Sequence, residues 1–327
     1  MKLLKNAGTL LVALVLLALP LIVWWQAQAI QDWWKLRGYT PPAAIAQLAS
    51  QDTMKPYTQH MFYVNHPQLI SGVANFRQNY CPENQNTIVL GCYHVGQNGI
   101  FIYKITDPSL YGVEQVTAAH EVLHAVYARL SSADRTQLNK ELESYYKNGL
   151  TDQRVQAEVK LYQQTEPDSV YDEMSCTFGT ELADLPPNLE AYYDRYFSNR
   201  AAIVEFEQKY QGALTSRQSQ ISVYDTELAG MKNQIDSEEQ SLSNQLNQID
   251  ADRNRLNSQK ASNNYAAYNA GVSGFNAEVD AYNRGVAQLQ NDIANYNSLV
   301  TTRNAIAQEL RSLDSAIDTR LTTQTSQ

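Results

Sequence analysis

Apolar residues recur every seven positions, without a miss, at Leu214, Ile221, Leu228, Ile235, Leu242, Ile249 and Leu256. The companion positions Tyr210, Arg217, Tyr224, Met231, Glu238, Gln245 and Asp252 are mixed. After a polar break near 258–264 a second register opens. Val272, Val279, Val286, Ile293 and Val300 alternate there with Tyr268, Phe275, Tyr282, Leu289 and Tyr296. Spacings of three and four sustained over several heptads indicate a coiled coil. Two such segments joined by a short break predict a long antiparallel α-helical hairpin. Each arm of about 55 residues would run on the order of 80 Å at 1.5 Å per residue. Tyr268-Asn269, Tyr282-Asn283 and Tyr296-Asn297 keep the register and read as core tyrosines with asparagine just outside, rather than a ladder gripping a partner. Gly271, Gly274 and Gly285 are expected to weaken the second arm.

Upstream, residues 43–199 have mixed globular patterning. Met61 to Val64 reads as a short strand, and Asn65 as the cap of a helix carrying Pro67 in its first turn and ending near Asn79. Thr87–Tyr93 and Ile100–Ile105 are β-branched and aromatic runs flanking Gln97-Asn98-Gly99, which predicts a hairpin. Val116, Ala119, Leu123, Val126 and Leu130 are spaced by three and four, predicting a buried helix from Tyr111 to Leu130. Ser132, Thr151 and Ser169 read as N-caps of three further helices. The domains expected are 1–31 (anchor or signal peptide), 32–42 (linker), 43–199 (globular) and 200–327 (helical hairpin with a disordered C-terminal tail).

The first 31 residues add a location. Lys2 and Lys5 precede an uncharged apolar run from Ala7 to Trp25, with Trp24, Trp25, Trp33 and Trp34 at its outer end. Such a run spans a bilayer, tryptophan favours its interface, and the lysines keep the N-terminus cytoplasmic, so the remainder lies outside. The alternative is a signal peptide cleaved near Ala29, because Ala27-Gln28-Ala29 has the A-x-A form. Both imply export. In an oxidising compartment Cys81 and Cys92 can pair across a short polar loop, or remain two reduced thiols; Cys176 is left over. The chain has no N-x-[ST] sequon, which favours a bacterial envelope. A formal net charge of −9 without a basic, aromatic-rich patch argues against nucleic acid as a partner.

Chemistry concentrates at His120-Glu121-Val122-Leu123-His124. On a helix, positions i and i+4 share a face, so both imidazoles can reach one metal ion. Glu121, beside the first ligand, can touch a water on that metal. A catalytic zinc takes three protein ligands and an open position. Tyr127 and Leu130 stand where a metzincin would carry glycine and its third histidine, and His60, His66 and His94 all precede the motif. A downstream carboxylate is therefore the better third ligand. The candidates are Glu173, within Asp172-Glu173-Met174-Ser175-Cys176, and Glu181. Glu141, Glu143 and Glu158 read as solvated helix charges, and Cys176 as a small buried residue behind the site or a switch ligand.

HExxH followed by a later helix with a ligand glutamate resembles the gluzincins, the thermolysin-like zincin metallopeptidases. The likeness covers roughly residues 61–182. It implies an α+β, minimal zincin-like domain, a small sheet plus active-site helices, whose last strand before the active helix binds substrate in extended form. It also implies Zn²⁺ on His120, His124 and Glu173, with Glu121 as general base; Tyr192, Tyr193 and Tyr196 are candidate oxyanion donors, though packing is the more ordinary job for tyrosines in a chain with so many. Gluzincins often carry an aspartate four residues after the ligand glutamate; here that position is Thr177, which leaves Glu181 as a rival ligand or a residue behind the ligands. The function implied is an exported, membrane-anchored zinc peptidase acting on a protein or peptide. The alternative is an envelope scaffold or regulator working through the coiled coil, by an envelope partner or self-association, with an inactive, peptide-binding zincin-like domain.

Overall fold

A computed structural model describes residues 26–82, 87–96 and 99–321. The apolar run Ala7–Trp25, and with it the anchor or signal peptide, lies outside them. Among the described residues no helix is long and apolar enough to cross a membrane. The chain divides into two compact units, Met1–Gln211 with Ala316–Gln327, and Gly212–Ser315. The class is α+β: mostly helical, with one small mixed sheet.

The first unit opens with α1 (Ala27–Leu36), α2 (Ala43–Gln51) and α3 (Pro56–Val64). Helix α1 crosses the expected border between N-terminal segment and linker, because Asp32 on it accepts two hydrogen bonds from Arg129, each 2.7 Å. Met61–Val64, expected as a strand, is the end of α3. Pro56 starts that helix, and Thr58, Met61 and Phe62 bury one face at helical spacing. Asn65 closes α3 rather than opening a helix, its side chain donating to the Met61 carbonyl at 2.7 Å. The helix expected from there to Asn79 is replaced by strand β1 (Gln68–Ile70) and a short helical turn over 73–80. A parallel strand needs a distant partner, and β1 finds it in β3 (Gly99–Tyr103), Leu69 opposite Ile102.

Between them in sequence lies β2 (Gly91–His94), which pairs antiparallel with β3, Cys92 opposite Phe101. The expected hairpin is thus present with a shorter first strand; Gln97 and Asn98 of its turn are outside the described residues. Sheet order is β1-β3-β2, leaving β2 as an edge. Cys81 and Cys92 are bonded to each other beside it.

Helix α4 (Val113–Ala128) is the core. Val116, Ala118, Ala119, Val122, Leu123, Ala125 and Val126 are all at most 5% exposed and pack with Ile100, Ile102, Phe62, Met174 and Phe178. Each large apolar side chain so buried contributes roughly 1.5–3 kcal/mol. Around it stand α5 (Ser132–Asn148), α6 (Gln153–Thr165), α7 (Val170–Glu181) and α8 (Pro187–Tyr193). Their N-caps are Ser131, Asp152 and Ser169; the first two lie one residue from the expected positions, and their side chains accept amides of the first turn.

Helix α9 (Arg200–Ala261) begins at the expected border, yet its first turns belong to this unit: Ile203 and Val204 are buried in its core. The C-terminal segment also returns here. Thr319 is fully buried, its hydroxyl accepting from Val89 N at 3.0 Å and donating to Val89 O at 2.7 Å. The described residues end at Leu321, and the expected C-terminal tail beyond it lies outside them.

In the second unit α9 packs against α10 (Tyr265–Ile317) with opposite chain direction. Arg217 pairs with Glu309, and Arg303 forks onto Asp225 at 2.8 and 3.1 Å. Gly271 and Gly285 have a packing role: a Cβ there would lie 2.8 Å from Leu256 Cδ2 and 2.7 Å from Leu242 Cδ2. Their propensity cost is exchanged for close approach by two leucines of the heptad series.

Asp52, which closes α2, is fully buried with no partner for either oxygen, and burial holds its carboxyl well above the usual range. A raised acid binds its proton in the folded state at pH values where the unfolded chain has released it, so stability falls as pH rises above the unfolded pKa. Asp52→Asn is expected to stabilise the protein at pH 7 by on the order of 1–3 kcal/mol. The gain should shrink toward pH 4. Thermal melts at both pH values check this; an equal or lower melting temperature at pH 7 rejects it.

Candidate metal centre

His120 and His124 lie one turn apart on α4 with ring centroids 4.9 Å apart. Helix α7 crosses α4 and brings Glu173 between them. Glu173 Oε2 is 3.6 Å from His120 Nε2, and Oε1 is 3.7 Å from His124 Nε2. A tetrahedral zinc with ligand bonds of about 2.1 Å separates its ligand atoms by about 3.4 Å, close to the spacing between each histidine and its nearer Glu173 oxygen. Their side chains keep 18%, 12% and 15% exposure, so the cluster is largely buried without being sealed.

Cys176 offers a competing donor set. One ligand atom each of His120, His124 and Cys176 falls within 4.8 Å of the others. The thiol, however, sits 3.9 Å from Asp172 Oδ1, and that same oxygen bonds His124 Nδ1 at 2.8 Å. Cys176 Sγ and His124 Nδ1 thus share Asp172 Oδ1 as a neighbour, and burial pushes the thiol up. Glu181 stands elsewhere: its carboxylate takes Arg154 Nη1 at 2.5 Å, while Arg154 Nη2 reaches Glu207 at 3.0 Å.

Burial raises the Glu173 carboxyl, but His124, His120 and the Tyr162 hydroxyl outweigh it and hold it down at about 2. Burial lowers both histidines, and for both the neighbouring acids win: Glu173 at His120, and Cys176, Glu173 and Asp172 at His124. A divalent cation entering here competes with those protons.

Glu121 is 5% exposed, and burial pushes its carboxyl up against the opposing pull of His124 and His120. It faces the start of the sheet edge. A Cβ at Gly91 would lie 2.6 Å from Glu121 Oε1 and 2.5 Å from Thr117 Cγ2, so only glycine leaves room for the carboxylate. Gly91→Ala is expected to displace Glu121 while sparing His120, His124 and Glu173. If the site hydrolyses a substrate with Glu121 as its base, turnover should fall by about tenfold or more, the scale at which small misplacement of a catalytic group is felt, with affinity for an added divalent cation unchanged. Unchanged turnover rejects this.

Three residues escaped the sequence reading. Asp172 orients His124 by its Nδ1 bond, the position an aspartate after the ligand glutamate would serve; here it precedes that glutamate. Tyr162 on α6 stands near Glu173 and helps hold its carboxylate ionised. Glu158, expected in solvent, is half-buried beside His120, and burial with Glu181 nearby raises it to about 7. The i,i+4 spacing of Glu158 and Tyr162 was the available signal, but only the packing of α6 aims it at the site. Tyr192, Tyr193 and Tyr196 are core residues, Tyr193 donating to the Ser175 carbonyl at 2.7 Å.

No family model matches the chain, and no curated protein or solved structure matches it.

Proposed function

We propose that the chain is an exported, membrane-anchored zinc peptidase of the gluzincin type. The observation that carries the reading is the Glu173 carboxylate, 3.6 Å from His120 Nε2 and 3.7 Å from His124 Nε2, with the HExxH glutamate buried beside them. Two further features support it. Asp172 holds His124 in the tautomer that frees Nε2. The edge strand β2 starts beside Glu121, where an extended peptide could add as a further strand. The finer fold reading goes with this: a minimal zincin-like domain followed by an antiparallel coiled-coil hairpin.

His120, His124 and Glu173 would hold a Zn²⁺, which would supply Lewis acidity toward a water and a substrate carbonyl. The residues of the chain do the rest. Glu121 accepts the proton of the attacking water and hands it to the leaving amine, its raised affinity for a proton suiting both steps. Asp172 fixes the His124 ring and Tyr162 helps hold the Glu173 carboxylate ionised. The substrate is a peptide or protein outside the membrane, and the coiled coil is the element that would engage an envelope partner or a second copy.

The test is metal content together with peptide hydrolysis by the purified chain. One zinc per chain is expected, with cleavage of an unstructured peptide that a chelator stops and added zinc restores. A folded protein that binds no zinc at micromolar metal overturns the reading.

A further inference from the structure

Helix α1 is built inside out. Ile30, Trp33, Trp34 and Arg37, at spacings of three, four and seven, share one face; Gln28 and Asp32 lie on the opposite one. Asp32, on that second face, is the one buried residue of the helix. Asp32 is 5% exposed, clamped by both Arg129 guanidinium nitrogens at 2.7 Å, His60 Nε2 at 2.8 Å and Gln28 Nε2 at 3.1 Å. The apolar face is the open one, with Ile30 at 40%, Trp33 at 57% and Trp34 at 61% exposure. Arg37 lies over both indoles, 5.3 and 5.5 Å from their centroids.

The mount is rigid as well as inverted. His66 bonds the Lys35 carbonyl at 2.7 Å and stacks on Tyr39 just beyond α1. Arg129, which grips Asp32, directly follows α4, the helix that carries the HExxH segment. A helix fastened by a bidentate ion pair while presenting two adjacent tryptophans to solvent is arranged for an apolar partner.

We propose that this face seats on a lipid bilayer, with α1 lying in the interface. Three features select lipid over protein. The uncharged run Ala7–Trp25 ends one residue before Gln26, the N-cap of α1. Indole rings prefer the headgroup level, where an apolar body and a polar N–H are both satisfied. The exposed charge that shares the tryptophan face, Arg37, is cationic in a chain of net charge −9, which fits anionic headgroups. Seated this way, α1 ties the C-terminal end of the HExxH helix to the membrane surface. The inference rests on the anchor reading and is independent of the metal.

The test uses the full chain in vesicles of phosphatidylcholine and phosphatidylglycerol. Trp24→Phe with Trp25→Phe leaves emission from Trp33 and Trp34 only. Flotation with the vesicles reports the anchor, and quenching reports α1. The expected result is loss of emission with brominated acyl chains and little loss with aqueous iodide. A nitroxide at Ile30→Cys, with both α1 tryptophans intact, should be relaxed by oxygen rather than by a water-soluble nickel chelate. A chain that floats while iodide quenches Trp33 and Trp34 overturns this inference alone. Emission shielded from both quenchers means that protein covers the face, and overturns it too. A chain that does not float denies the anchor, and the inference with it.

Discussion

Glu121→Gln should leave a folded, fully zinc-loaded protein whose peptide hydrolysis is lowered by about 10²–10⁴-fold, the range for a lost general base. That corresponds to roughly 3–5 kcal/mol of transition-state stabilisation. The substitution preserves size in a pocket with no slack, since the carboxylate is buried against Gly91 and Thr117. It removes only the ability to take a proton. Glu121 is not among the three proposed ligands, so zinc stoichiometry and melting temperature should stay at wild-type values. Measuring hydrolysis and metal content on the same sample separates loss of chemistry from loss of metal. Wild-type turnover in the glutamine variant would remove Glu121 from the mechanism.

Glu173→Ala is the second large effect. It should weaken zinc binding by more than the roughly 10–100-fold expected for Asp172→Asn, whose role is to orient His124. Competition with a chromophoric chelator reads both. Cys176→Ser and Glu181→Gln are the controls: the Cys176 thiol neighbours Asp172, and Glu181 is committed to Arg154. Both should retain wild-type zinc affinity. If Cys176→Ser lost the metal while Glu173→Ala kept it, the donor set would be the two histidines with the thiol.

The parts of this site readable from the chain were those carried by a single helix. His120, Glu121 and His124 fall within five residues, and helical periodicity alone puts the histidines on one face. Glu173 could be nominated because residue type and neighbouring apolar positions narrowed the choice, but Glu181 remained open. Asp172, Tyr162 and Glu158 were invisible as site residues. Each acquires its role from the crossing of α6 and α7 over α4, and no local pattern encodes which acid on a crossing helix meets which imidazole.

The same division holds for the fold. The heptads from 214 to 300 predicted the paired long helices, because a repeat of seven has one helical solution. Met61–Val64 and Gln68–Ile70 are short apolar runs whose period is ambiguous, and they exchanged identities between strand and helix once β3 offered β1 a partner. Gly271 and Gly285 looked like weak points by propensity and proved to be seats for leucines on the facing helix.

What the sequence by itself determined is what repeats or recurs within a turn or two: the HExxH face, the helical arms and the buried character of α4. The tertiary structure decided the rest. It placed Glu173 rather than Glu181 against the histidines, gave Asp172 its hold on His124, and buried Asp32 while leaving Trp33 and Trp34 outside. The reason is physical. Local spacing is set by backbone geometry along one element, whereas donor sets and burial of charge depend on distances between elements that only packing supplies.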